Sequence, residues 1–181
     1  MKKKSVVIII IAVVAALVLT FLTVFVLAKK KVIFINEWFV NENKSTIGVD
    51  ISAYQADVDM AKLKEQHIAF VYIKATEGST FQDEKFAANR ENAQNADLLC
   101  GAYHFFSYDS PGSTQAENFI NTAGDELKGQ LLPVVDVEYY GDKEENPPAK
   151  EDVVRELTAY LNAIEAHYGI KPMIYTRADI Y

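Results

Sequence analysis

Short apolar runs alternate with amphipathic segments along most of the chain, beginning at Ile47. The strand-like runs lie at 47–52, 69–75, 98–105, 131–138 and 172–176. Helical patterns fill the intervals at 59–67, 83–96, 113–123 and 150–168. In the last of these, apolar residues recur at the spacing of one helix face, namely Val154, Leu157, Leu161, Ile164 and Tyr168. Strands that alternate with helices predict βα units around a parallel sheet.

A different pattern precedes this region. Residues 5–28 are 24 apolar or small residues without charge or proline, and as a helix they would rise about 36 Å, enough to cross a hydrocarbon core of about 30 Å. We expect a transmembrane signal anchor at 5–28, with residues 1–4 as a basic cytoplasmic end. A linker at 29–46 then leads to an extracellular domain at 47–181, in a single-pass protein of the cell membrane. Cleavage of a signal peptide is the alternative, since Val26 and Ala28 are small enough for a cleavage site.

Charge divides the chain in the same way. Residues 1–31 carry six lysines and no acidic residue, whereas the other 150 residues hold 12 basic and 25 acidic side chains. Such an acidic body argues against a nucleic acid partner, because phosphate backbones are bound by clustered Lys and Arg. A single cysteine, Cys100, excludes an internal disulfide and disfavours a cysteine-based metal site. No His/Cys cluster has metal-ligand spacing, and we predict neither a metal nor a cofactor.

Two carboxylates close the fourth strand candidate, in the sequence LPVVDVE at 132–138. Residues two apart on a strand point to one face, so Asp136 and Glu138 should lie about 6.6 Å apart along the strand. Neighbouring carboxylates raise the pKa of one of the pair, as glycoside hydrolysis requires. Asp50 would add a third carboxylate at the end of the first strand. The alternative is an acidic strand end that caps a helix or binds a cation.

Polar residues at the carboxyl ends of several strands favour a (β/α) barrel, in which chemistry takes place at that rim. No glycine-rich phosphate loop follows the first strand, which disfavours a nucleotide-binding open sheet. Further candidates for substrate contact at the rim are Tyr54, Lys74, Tyr103, His104, Tyr139 and Tyr175. Aromatic strand residues also serve as core, and His104 could be a structural histidine. Only about five of eight barrel strands are recognisable, so we expect an incomplete, irregular TIM-like barrel.

Five motifs occur in one order: GVDIS at 48–52 with Tyr54-Gln55, YIKATEG at 72–78, GAYHF at 101–105, PVVDVE at 133–138 and IYT at 174–176. Together they resemble the family 25 glycoside hydrolases, lysozymes that cut the β-1,4 bond between N-acetylmuramic acid and N-acetylglucosamine in peptidoglycan. The resemblance implies that Glu138 donates the proton and that Asp136 acts as nucleophile or orients the substrate acetamido group. It also places Asp50, Tyr103 and Tyr175 in the site, requires no metal, and implies further strands after residue 181.

The resulting prediction is a membrane-anchored N-acetylmuramidase that acts on peptidoglycan glycan strands. One alternative is a catalytically inactive module that binds glycan or a partner through the same groove. A chitinase-like hydrolase would also place D-x-E at a barrel strand end, but the motifs at 72–78 and 101–105 favour a muramidase.

Overall fold

A computed structural model describes residues 2–29, 46–127, 130–178 and 180. The chain divides into two compact units, Met1–Ser45 and Thr46–Tyr181. In the first unit, helix α1 spans Lys2–Lys29. Among the residues described, no helix combines the length and the apolarity needed to cross a membrane. The predicted transmembrane span at 5–28 is therefore not supported, and residues 30–45 of the predicted linker lie outside the described residues.

The second unit alternates strands and helices, as the pattern predicted. Its strands are β1 Ile47–Ile51, β2 Ile68–Glu77, β3 Phe81–Gln82, β4 Leu99–Phe105, β5 Val134–Val137 and β6 Met173–Thr176. Its helices are α2 Met60–Glu65, α3 Phe86–Asn95, α4 Gly112–Ala123 and α5 Lys150–Tyr168, with short 3-10 helices at Ala53–Gln55 and Asp125–Leu127. The two-residue strand β3 was not predicted, because it is too short to show a period.

The sheet has the order β1-β2-β4-β5-β6, and all of these neighbours pair in parallel. Strand β3 pairs antiparallel with β2. Residues of β1 and of β6, the two ends of this order, line one cavity, so the sheet is curled like part of a barrel. The structure therefore confirms an α/β fold with a curled parallel sheet.

Alternation along the strands sends apolar side chains to the convex face, under the helices. Val71 and Ile73 of β2 and Val135 of β5 are fully buried there, and Cys100 is 1% exposed. From the helical layer, Phe119, Tyr160 and Ile164 are fully buried against them. The core consequently lies between the convex face and the helices, which leaves the concave face for the site.

Helix α5 has the predicted bounds, and Leu157, Leu161, Ile164 and Tyr168 of the predicted face pack on the core, with Val154 as the exception. Tyr160 and Ile164 are its buried residues, whereas Val154 is 54% exposed. Val154 is thus the residue of the predicted face that does not reach the core, while the helix packs on α4. At that contact a Cβ on Gly112 would overlap the carbonyl oxygen of Glu156, so glycine permits the close approach.

Candidate active site

Three carboxylates from two strands meet at one cavity of about 450 Å³ on the concave face. Asp50 comes from β1, Asp136 from β5, and Glu138 directly follows β5. Val135 and Val137, between and beside them, point the other way into the core. The predicted D-x-E alternation thus places both acidic side chains on the cavity side, together with Asp50.

Asp136 combines partial burial with two carboxylate neighbours. Burial, followed by the negative charges of Glu138 and Asp50, raises its pKa to about 7 against the opposing positive charge of Lys74. One carboxyl oxygen of Asp136, Oδ1, is buried and has no hydrogen-bond partner. A carboxyl group in this state holds a proton up to near neutral pH, so Asp136 can hold or pass on a proton at this cavity.

Two tyrosines predicted as substrate contacts lie beside these carboxylates. Tyr103 lines the cavity; burial raises the pKa of its hydroxyl, and the charges of Asp50 and Asp136 raise it further. Tyr175 of β6 is paired in register with Asp136 and is 57% exposed. Both rings are therefore available to a sugar at the carboxylates.

The floor of the cavity is aromatic and was missed by the sequence analysis. Phe70 and Tyr72 line it from β2, with their ring centroids 6.0 Å apart in an edge-to-face arrangement. A Cβ on Gly48 would overlap the Phe70 ring, and one on Gly101 would overlap the Tyr72 ring. The glycines on the neighbouring strands therefore let both rings lie across the sheet. The alternation of Phe70 and Tyr72 with Val71 and Ile73 in the sequence could have predicted that the two rings share one face.

Lys74 is almost buried at the rim, with its Nζ 2.6 Å from Glu77 Oε2 and 5.0 Å from the centre of the Phe105 ring. It borders a second cavity of about 390 Å³, which Tyr54 also lines. Tyr54 is 91% exposed and is not among the residues that line the carboxylate cavity. Lys74 and Tyr54 thus lie in a neighbouring depression. From there the positive charge of Lys74 still lowers the pKa of Asp136.

The structure places His104 on the opposite face of the sheet, so its prediction as a substrate contact is corrected. Its side chain is fully buried and stacks on Tyr160, with ring centroids 4.8 Å apart. Nδ1 lies 2.7 Å from Thr76 Oγ1, and Nε2 lies 3.0 Å from Gln115 Oε1. Burial lowers the His104 pKa to about 4, which makes it a neutral structural residue at neutral pH.

Tyr139 follows Glu138 but does not line the carboxylate cavity; its ring contacts Tyr108, with centroids 5.9 Å apart. Over the ranges that the structure describes, no group of three or more His, Cys, Asp or Glu side chains could hold a metal ion. The polar groups that line the carboxylate cavity are carboxylates and tyrosine hydroxyls.

Comparison with known proteins gives a consistent result. Residues 49–181 match the model of the glycosyl hydrolases family 25. The chain is 39% identical to Lysozyme M1 of Streptomyces globisporus over 95 residues, which cover 51% of this chain and 32% of that protein. It is 34% identical to an N,O-diacetylmuramidase of Arthroderma benhamiae over 141 residues, which cover 75% of this chain and 59% of that protein.

Solved structures agree with the sequence relatives. A family 25 glycosyl hydrolase from Bacillus anthracis superposes with a TM-score of 0.73 at 45% identity, over 76% of this chain and 63% of that one. A lysozyme from Streptomyces coelicolor gives a TM-score of 0.67 at 29% identity, over 75% of this chain and 64% of that one. The chain therefore spans between about a third and two thirds of the length of these relatives.

Proposed function

Because this chain belongs to the glycosyl hydrolases family 25, we propose that it is a peptidoglycan hydrolase that cleaves the β-1,4 bond between N-acetylmuramic acid and N-acetylglucosamine. The observation that carries the proposal is the set of three carboxylates, Asp50, Asp136 and Glu138, on one aromatic-lined cavity. Aromatic faces stack on the apolar faces of sugar rings, and paired carboxylates perform glycoside hydrolysis.

Glu138 is the proton donor to the glycosidic oxygen in this proposal. It lines the cavity directly beyond the end of β5 and is partly exposed, so a glycan strand can reach it. Asp136, two residues earlier on the same face, carries a proton near neutral pH because burial and the neighbouring carboxylates raise its pKa to about 7. When substrate displaces water and this proton moves to Glu138, Asp136 becomes the anion that stabilises positive charge developing at the anomeric carbon.

Tyr103, Tyr175, Phe70 and Tyr72 bind the sugar rings around these acids, and Asp50 keeps the local charge negative. Tyr54 and Lys74 extend the contact surface into the neighbouring depression. The reaction balances without a cofactor: water replaces the leaving sugar at the anomeric carbon, and Glu138 is reprotonated by that water.

The test is the release of reducing ends from purified peptidoglycan by the full chain and by Glu138→Gln. We expect the substitution to abolish turnover without loss of peptidoglycan binding in a pull-down, because Gln keeps the shape of the side chain and removes the proton. Binding by the wild type without any release of reducing ends would instead support the inactive binding module. Turnover retained in Glu138→Gln would contradict the assignment of the acid.

We also propose that the domain acts outside the cytoplasmic membrane, because peptidoglycan lies there. Protease added to intact cells from which the wall has been removed should digest the 46–181 unit. Protection of that unit until the cells are lysed would contradict this location.

A further inference from the structure

The structure assigns a positioning role to Tyr140, an inference that rests on the proposed function: its hydroxyl fixes the segment that carries Glu138 against the loop after β4. We call Tyr140 with Ser107, Tyr108 and Asp109 the tyrosine clamp. The proposal starts from the way in which the sheet stops supporting β5 just before Glu138.

Strand β5 is held by its neighbours only as far as Val137. Its pairing with β4 ends at Asp136, opposite Phe105, and its pairing with β6 ends at Val137, opposite Thr176. The backbone oxygen of Asp136 accepts a bond from Phe106 N at 2.8 Å, and that of Val137 accepts one from Thr176 Oγ1 at 2.8 Å. Glu138 is therefore the first residue beyond the ladder, although its carboxyl must be placed accurately to protonate a leaving oxygen.

Beyond Glu138, the Tyr139 ring contacts Tyr108, and the side chain that hydrogen-bonds to the loop after β4 is that of Tyr140. Its hydroxyl accepts a bond from Tyr108 N at 3.0 Å, bonds to Ser107 Oγ at 2.9 Å, and donates to Asp109 Oδ2 at 2.8 Å. Because the one hydroxyl proton is directed at Asp109, Ser107 must donate to Tyr140. The two accepted bonds and one donated bond use the full capacity of a tyrosine hydroxyl.

Ring packing and charge hold the clamp from outside. The Tyr140 ring stacks on Tyr108, with centroids 5.7 Å apart, and lies 5.9 Å from the centroid of Phe105. Asp109 is also paired with Lys143 at 2.8 Å, and Lys143 N bonds to the carbonyl oxygen of Tyr140 at 3.0 Å. Glu138 thus lies between two fixed segments, namely the last paired residues of β5 and the tyrosine clamp, which begins two residues later.

The experiment compares Tyr140→Phe with Tyr168→Phe in the full chain. Tyr168 is the matched control, because its hydroxyl makes a single bond to Gly124 O at 3.1 Å in the helical layer. Each variant is assayed on peptidoglycan and on a dinitrophenyl β-glycoside of an N-acetylated disaccharide, whose leaving group needs no proton. If the clamp acts through Glu138, Tyr140→Phe loses activity only where the leaving oxygen must be protonated.

We expect kcat on peptidoglycan to fall by about tenfold to a hundredfold in Tyr140→Phe, with KM within about twofold, and kcat on the dinitrophenyl glycoside to stay within about threefold. Tyr168→Phe should match the wild type on both substrates. Equal losses on both substrates in Tyr140→Phe would overturn the proposal, because a general structural defect does not distinguish leaving groups.

Two further measurements keep the test decisive. If Tyr140→Phe does not fold, Ser107→Ala removes one of the three bonds and should show a smaller loss with the same substrate selectivity. If the wild type releases no reducing ends, the proposed function fails, and the carboxyl titration by NMR then decides the clamp. A clamp that holds Glu138 beside Asp136 requires the Asp136 pKa to fall in Tyr140→Phe, because the charge of Glu138 is one of the causes that raise it, and an unchanged pKa would overturn the clamp.

Discussion

Replacement of Asp136 by asparagine should stabilise the protein at pH 8 and leave its stability at pH 4 nearly unchanged. In the folded protein, burial and the charges of Glu138 and Asp50 raise the Asp136 pKa to about 7, whereas in the unfolded chain it returns to about 3.9. Between these values the folded state binds the extra proton, so the free energy of unfolding falls as pH rises. Asparagine removes the ionisation and with it this loss.

The magnitude follows from the difference between the two pKa values. A rise from 3.8 to about 7 is about three units, and at about 1.36 kcal/mol per unit the full effect is about 4 kcal/mol. Asp136 is partly exposed to an open cavity, where water screens part of the interaction. We therefore expect Asp136→Asn to exceed the wild type by about 2 kcal/mol at pH 8, with the difference arising between pH 4 and pH 7.

Urea unfolding of both proteins at one-unit steps from pH 4 to pH 8 measures this difference. Asp57→Asn is the control, because the pKa of Asp57 is shifted in the opposite direction. Asp57 is ion-paired with Lys85 at 2.6 Å, and that partner lowers its pKa. Its removal should not stabilise the protein at any pH. A difference between Asp136→Asn and wild type that stays constant from pH 4 to pH 8, or that shrinks as pH rises, would refute the reasoning.

Three other predictions follow from contacts of the same unit. Gly112→Ala should lower the free energy of unfolding by about 3 kcal/mol, because the added Cβ overlaps the Glu156 carbonyl between α4 and α5; thermal unfolding beside an exposed-site control, Ser113→Ala, measures it. Gly101→Ala should raise KM for glycan several-fold with kcat little changed, because the added Cβ displaces the Tyr72 ring from the cavity floor, and steady-state kinetics would contradict this by an unchanged KM. The third concerns His104, whose pKa of about 4 in the fold lies below its value of about 6.5 in the unfolded chain. In Asp136→Asn, the free energy of unfolding should therefore fall as pH drops from 6.5 towards 4, and a flat profile there would contradict the burial of a neutral His104.

The parts of the fold that could be predicted are those set by local period. Each predicted strand and helix after Ile47 has an observed counterpart. Helix α5 agrees at both ends because its apolar residues repeat at helical spacing over many turns. Alternation also placed Asp136 and Glu138 on one face and Val135 on the other. These features depend on residues close in sequence, so a single chain suffices to infer them.

The same alternation could have excluded His104 as a substrate contact and predicted the aromatic residues of the cavity floor. Tyr103 and His104 are adjacent on β4, so a strand must send them to opposite faces, and both could not contact one substrate. Likewise Phe70 and Tyr72 alternate with buried Val71, which places them on the cavity side. The tyrosine clamp could not be predicted from local pattern. Tyr140 and Ser107 are separated by 33 positions and meet only because β4 and β5 are neighbours in the sheet.

The two faces of the sheet therefore perturb two titrating groups in opposite directions. On the concave face the native state holds one proton more than the unfolded chain, at Asp136, from about pH 4 to about pH 7. On the convex face it holds one proton fewer, at His104, from about pH 4 to about pH 6.5. Because stability changes with pH in proportion to the difference in bound protons, the two contributions oppose each other over this range, and urea unfolding of the wild type should change less between pH 4.5 and pH 6.5 than that of either His104→Gln or Asp136→Asn. His104→Gln should remove only the convex contribution and leave stability falling as pH rises, opposite in slope to Asp136→Asn. The buried neutral His104 thus offsets part of the pH dependence of stability that a carboxyl group with a raised pKa brings to the candidate site.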